Sequence, residues 1–206
     1  MNDTSNVKAA PASQLLAQLR LGAASWGAQW RGCSLESAFQ PVLSITHHRV
    51  VGHEALLRIT DKAGHAIAPA DLFATVADAD AQQLDELARC LHLANFVHQG
   101  VETGWIFLNT LPRSARSADA AQAAIDGLCS YFDFPHERVV IEVLEQGGGD
   151  EQSWFVDDRP AAGARDFLVA LDDFGAGFSN FDRVWRYRPD IVKLDRSLVK
   201  CAASGE

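Results

Sequence analysis

From Ala38 onward the chain repeats a pattern of short apolar runs, each of strand length and each rich in Val, Ile, Leu and Phe: AFQPVLSI, RVVGHEALLRI, WIFLNT, RVVIEVLE, FLVALDDF and IVKLDRSLV. Between them lie segments of helical spacing or composition: Pro69 to Gln99, long enough for two helices, Ala115 to Phe132, a weaker stretch between Glu151 and Phe167, and Asn180 to Arg186. Only a few residues join the first two runs, which predicts an antiparallel hairpin. The later runs alternate with helices, which predicts parallel βα units. The pattern is that of an α/β domain over residues 36–206. Residues 1–35 read as an N-terminal tail or linker with one short helical possibility around Ser13 to Arg20, because Gly22, Gly27 and Gly32 interrupt the segment too often for a regular helix.

The polar residues inside these runs carry the chemical signal. Glu54 interrupts the second run, Asn109 ends the third, Glu142 and Glu145 sit in the fourth, Asp172 and Asp173 end the fifth, and Lys193 and Asp195 lie in the sixth. In parallel α/β folds the carboxyl ends of the strands converge on ligand sites, so five strands delivering polar groups to or near their ends form a constellation. Burying several carboxylates together requires a compensating positive charge. Oxygen donors from Glu, Asn and Asp, with no His or Cys among them, suit Mg²⁺ or Mn²⁺ better than zinc or copper. Asp172 and Asp173 cannot face the same side of a regular strand, so they could serve two different points. Gly175-Ala176-Gly177 then allows a sharp backbone turn.

Composition narrows the partners. The formal net charge of −9 over 206 residues weighs against a nucleic-acid polymer as the main partner, but not against a small phosphorylated ligand held through cations. No run of residues is long and apolar enough for a membrane span, and no secretory leader is visible, so the location expected is cytoplasmic. Cys33, Cys90, Cys129 and Cys201 form no C-x-x-C pair and suggest neither a zinc knuckle nor a disulfide framework.

Five ordered strings then resemble the successive motifs of the EAL domain, the bacterial cyclic di-GMP phosphodiesterase family: GHEALLR at Gly52 to Arg58, LNTLPR at Leu108 to Arg113, IEVLE at Ile141 to Glu145, ALDDFGAGFSN at Ala170 to Asn180 and PDIVKLDRSLV at Pro189 to Val199. The resemblance implies a modified TIM-type (β/α) barrel whose first strand runs antiparallel, two bound metal ions, and hydrolysis of cyclic di-GMP to linear pGpG by in-line attack of water. It implies metal ligation by Glu54, Asn109, Glu142, Asp172 and Asp173, with Lys193, Glu54 and Asp173 as the catalytic set. Arg58, Leu56 and Gln40 correspond to substrate-contacting positions, and Glu145 to the anchor of the loop after the paired aspartates. Members of that family often work as homodimers, and the resemblance leaves the oligomeric state of this chain open.

The chain departs from that pattern in two places. It ends soon after its sixth strand, where the family continues through two more strands carrying a further glutamate ligand and a glutamine, so a barrel of about six of eight strands is expected. Pro160 and Gly163 interrupt a segment where the family has a regular helix. Three readings therefore compete: a phosphodiesterase, a cyclic di-GMP-binding or regulatory module without turnover, and a chain that folds only by association. Asn109 also suits a cap before Pro112, Lys193 a structural ion pair with Asp195, and the Trp residues the filling of core gaps. His47, His48 and His53, gathered around the predicted hairpin turn, read as structural or solvated.

Overall fold

A computed structural model of the chain describes residues 12–110, 118–143, 166–175, 184–185 and 188–204. In chain order its elements are α1 (Ala12–Leu16), β1 (Leu19–Leu21), β2 (Trp26–Trp30), β3 (Cys33–Ser44), β4 (Arg49–Thr60), β5 (Ala66–Ile67), α2 (Pro69–Thr75), α3 (Asp78–His98), β6 (Trp105–Thr110), α4 (Ala118–Phe132), a 3₁₀ turn (His136–Arg138), β7 (Val139–Val143), β8 (Leu168–Phe174), β9 (Ile191–Leu194) and α5 (Arg196–Ser204). The strands form one sheet in the order β1-β2-β3-β4-β6-β7-β8-β9, with β5 beside β4. β3 and β4 are the antiparallel hairpin. From β4 through β9 every neighbour in that order is parallel. Among the described residues the sheet is not closed, and β1 and β9 stand at its ends.

Strand alternation divides the apolar residues between two faces. Ile106 and Leu108 of β6, Val139 and Ile141 of β7, and Val169 and Leu171 of β8 point to the main core. There they meet Leu84, Leu87, Leu91 and Phe96 of α3 and Ile125 and Leu128 of α4. The intervening residues, Phe107, Val140 and Ala170, point the other way into a smaller cluster with Val42, Trp105, Leu168 and Ile191. Both faces are apolar at this level, which is why these runs read as continuous hydrophobic stretches rather than as alternating ones. Gly52, in the middle of β4, is needed for close approach of the neighbouring strand: a Cβ there would lie 2.4 Å from the Trp105 carbonyl oxygen.

Two expectations are corrected. Residues 12–35 are not a linker: α1, β1 and β2 belong to the fold, and Leu15, Leu19, Ala28, Trp30 and Leu35 are buried in its core. Asn95 on α3 holds this segment by accepting from the Trp26 backbone N–H at 2.8 Å and donating to the Trp26 carbonyl at 2.9 Å, and also donates to Ser37 Oγ at 3.1 Å. Gly22 and Gly32 fall in the connections on either side of β2 and Gly27 within β2, so the glycines punctuate strands instead of a loop. The second correction concerns IVKLDRSLV, which is not one strand. It stops at Leu194, because Asp195 turns its carboxylate onto the backbone N–H of Ser197 at 2.7 Å and starts α5. The Ser197 hydroxyl, and then that backbone bond, hold the Asp195 carboxyl below its ordinary value.

The histidines and tryptophans also sort themselves. His47 and His48 are in the β3–β4 turn, whereas His53 lies within β4 with its ring 6.2 Å from that of Phe96. Trp30 is buried, but Trp185 is 80% exposed and fills no gap. All four cysteines are free, and burial pushes the Cys90 and Cys129 thiols up to about 12, which keeps them protonated and inert.

His92, enclosed beneath the sheet, shares a 2.8 Å hydrogen bond between its Nδ1 and Ser37 Oγ. Burial, and then the charges of Arg89 and Arg58, lower its pKa to about 3. The unfolded chain binds a proton here below about 6.5 and the folded one does not, so stability is complete above that pH and is lost as pH falls through the window from about 6.5 to 3. Urea unfolding is expected to show a loss of about 2 kcal/mol between pH 7 and 5 attributable to this residue, at up to about 1.4 kcal/mol per pH unit. His92→Asn is expected to flatten that slope; an unchanged slope refutes the assignment.

Candidate functional site

Beyond the small apolar cluster, the same face of the sheet turns polar. Asn109 stands opposite Glu142 in the β6–β7 register, Glu142 opposite Ala170, and Ala170 opposite Ile191, so by alternation Asn109, Glu142, Asp172 and Lys193 all project to one side. Glu54 joins them from β4, with Gln40 of β3 directly opposite it. One carboxylate oxygen from each of Glu54, Glu142 and Asp172 lies within 4.8 Å of the others. The Lys193 ammonium sits among them, 2.9 Å from Glu54 Oε2, 3.1 Å from Asp172 Oδ1 and in ion-pair contact with Glu142 Oε1. Asn109 Nδ2 donates to Glu54 Oε1 at 3.4 Å.

These contacts require the sheet to curl. β4 and β9 are four steps apart in the strand order, and a flat sheet at about 4.8 Å per step would hold them about 19 Å apart. Contact at 2.9 Å between Glu54 and Lys193 therefore makes the parallel strands an arc, as in a barrel wall, with the polar groups on its inner side.

Charge in the cluster is unevenly supported. Glu142 is fully buried, and among the described residues its carboxylate has Lys193 as an ion-pair partner on Oε1 and no hydrogen-bond partner on Oε2. Burial pushes its carboxyl up, Lys193 pulls it down, and Glu54 and Asp172 push it up again, leaving it at about 8. For Lys193, burial works against the charge, but Glu142, Asp172 and Glu54 together outweigh it and raise its pKa above the ordinary value. The ammonium is thus locked on, while the carboxylates around it still carry excess negative charge. An enclosed glutamate whose Oε2 has no partner among the described residues, grouped with two further carboxylates and beside an amide on Glu54, fits a hard divalent cation with oxygen ligands.

Other expected positions fall around this centre. Leu56 and Arg58 follow Glu54 at alternate positions of β4 and so share its face; Leu56 is half-buried and Arg58 exposed, with Nη1 donating to the Leu57 carbonyl at 3.2 Å. Gln40 is exposed. Asp173 diverges from Asp172: the β8–β9 register shifts between Leu171 and Phe174, a bulge at which Asp173 takes a left-handed φ of 54° and stands exposed, outside the three-carboxylate group. Gly175 follows at φ 105° against Leu198 of α5. Glu145 lies outside the described residues. Asp195 does not pair with Lys193 but caps α5.

Sequence reasoning missed one group beside the site. Asp85 and Arg89 form a buried ion pair on α3, and Arg89 Nη1 also donates to Thr110 Oγ1 at 3.2 Å, one residue beyond Asn109. An acid and a base four residues apart inside an apolar stripe, LDELARCL, was the available signal.

The family model of the EAL domain matches residues 25–206. The chain is 30% identical over 176 residues to the probable cyclic di-GMP phosphodiesterase PdeN of Escherichia coli, covering 79% of this chain and 32% of that protein. It is 24% identical over 165 residues to the blue light- and temperature-regulated antirepressor BluF of the same species, covering 79% and 39%. Among solved structures, BlrP1 of Klebsiella pneumoniae in complex with manganese and cyclic di-GMP aligns at a TM-score of 0.63 and 28% identity, over 82% of this chain and 42% of that one. A standalone EAL protein of Vibrio cholerae bound to cyclic di-GMP shares the fold at a TM-score of 0.62 and 21% identity, over 80% and 68%. The chain spans less than half the length of PdeN, BluF and BlrP1. Among the described residues no helix is long and apolar enough to cross a membrane.

Proposed function

Because the chain belongs to the EAL domain family, we propose that it binds cyclic di-GMP over the curled face of its sheet and hydrolyses one phosphodiester to give the linear dinucleotide. The observation that carries this reading is the convergence of Glu54, Glu142 and Asp172 within 4.8 Å around Lys193, at one point reached by four different strands. Glu54, Asn109, Glu142 and Asp172 would hold Mg²⁺ or Mn²⁺, with Asp173 reaching a second ion from the bulge. When bound, such ions lower the pKa of water and neutralise charge on phosphate oxygens. Lys193 orients Glu54, Glu142 and Asp172 and presents its charge to the phosphate. Arg58 offers a guanidinium fork from the exposed end of β4, a shape suited to phosphate oxygens, with Leu56 and Gln40 beside it.

A second reading is a module that binds cyclic di-GMP without turnover. It is favoured by the same ammonium, which already compensates part of the carboxylate charge. The name of BluF, an antirepressor, shows that relatives of this domain include regulators. One experiment separates the two: incubation of the purified chain with cyclic di-GMP and Mn²⁺, followed by chromatography over time. Accumulation of the linear dinucleotide is the expected result. Saturable binding with no product would transfer the assignment to the binding module.

A further inference from the structure

Among the described residues Asn109 is poorly held by its own contacts. Its amide donates to Glu54 at 3.4 Å, near the limit of a hydrogen bond, so that contact alone does not fix its orientation. On the β4 side the strand ladder ends at Ala55 opposite Leu108, one residue short of Asn109, and only β7 pairs with the last two residues of β6. The other restraint visible on this strand end comes through Thr110. By alternation Thr110 faces away from the carboxylates, toward α3, where it is buried and receives the Arg89 hydrogen bond. Arg89 and Asp85 are themselves buried, on the helix that brings Leu84, Leu87 and Leu91 into the core. A buried ion pair is weak evidence for stability, since apolar side chains of similar volume often serve as well. What apolar replacements would not supply is the directed bond to Thr110.

We propose that Asp85 and Arg89, acting through Thr110, position the Asn109 amide at the carboxylate cluster. They are positioning residues behind the sheet, and the inference rests on the reading of Asn109 as part of that site.

The test uses the side-chain amide resonances of Asn109, assigned by their disappearance in Asn109→Ala, together with Mn²⁺ affinity by calorimetry. Thr110→Val keeps the shape and removes the acceptor. It is expected to move the Asn109 amide pair toward its random-coil position and to weaken Mn²⁺ binding about 10-fold, the low end for loss of a partner that orients a ligand. Thr110→Ser is expected to restore both, and in the Asn109→Ala background Thr110→Val is expected to have no further effect on Mn²⁺. The double change Asp85→Asn with Arg89→Met leaves no lone buried charge and is expected to reproduce Thr110→Val; if it does not fold, the Thr110 variants carry the test. An unmoved Asn109 pair in Thr110→Val overturns the proposal, whether or not Mn²⁺ binds. A moved pair in a protein that never binds Mn²⁺ upholds the positioning and refutes the metal reading of the site.

Discussion

Lys193→Met is expected to lower the stability of the metal-free protein by about 3 kcal/mol, the low end for removing one member of a buried ion pair. The ammonium contacts three carboxylates, one of them Glu142, which is wholly enclosed and has no other partner among the described residues. Without Lys193 the Glu54 and Asp172 carboxylates lose the ammonium they share, and the influence that lowers the Glu142 pKa is gone while theirs still raises it. Mn²⁺ would supply the missing positive charge. In excess at 100 times its dissociation constant it is expected to return about 2.7 kcal/mol. Urea unfolding of both proteins, in chelator and in Mn²⁺, reads the effect directly. Equal stability in chelator would show that Lys193 does not compensate the cluster.

Glu54→Ala is expected to reduce cyclic di-GMP turnover by about 100-fold or more, the upper end of what loss of a mere supporting partner does to a metal site. Glu54 is the one carboxylate of the cluster that touches both Lys193 and Asn109, so its removal frees two groups at once. The fold is expected to survive. Glu54 is 15% exposed, and its charge raises the pKa of Glu142, so its loss relieves repulsion inside the cluster. Product formation measured beside a thermal melt decides the matter: retained turnover in a folded variant removes Glu54 from the reaction.

Much of this was legible in the chain because the relevant signals were local. WIFLNT marks β6 from end to end, and the hairpin, the split of Pro69 to Gln99 into two helices and the parallel run after it all follow from period and spacing. Asn109, Glu142, Asp172 and Lys193 could be singled out because a polar residue in an apolar run is conspicuous. What was not legible depends on partners distant in sequence. Trp26 to Trp30 becomes a strand because Asn95, 69 residues away, holds Trp26 on both its backbone groups. Lys193 chooses three carboxylates on other strands over Asp195, its near neighbour, because Asp195 is taken up as a helix cap. The value of φ at Asp173, which sends the second aspartate away from the first, is set by a bulge that no propensity announces. The Asp85–Arg89–Thr110 link joins a helix to a strand end 21 residues further on, and only folding makes it a neighbour of the site.

The contact between Glu54 and Lys193 spans 139 residues of chain and ties the first strand of the parallel run to the last. Anything that grips the carboxylates of β4, β7 and β8 together with Lys193 therefore behaves as a clasp on an edge that has no neighbour beyond β9 among the described residues. Peeling β9 away would break that grip. An occupant of that site would therefore lower the population in which the edge is open to proteases, and protection from cleavage would report its binding.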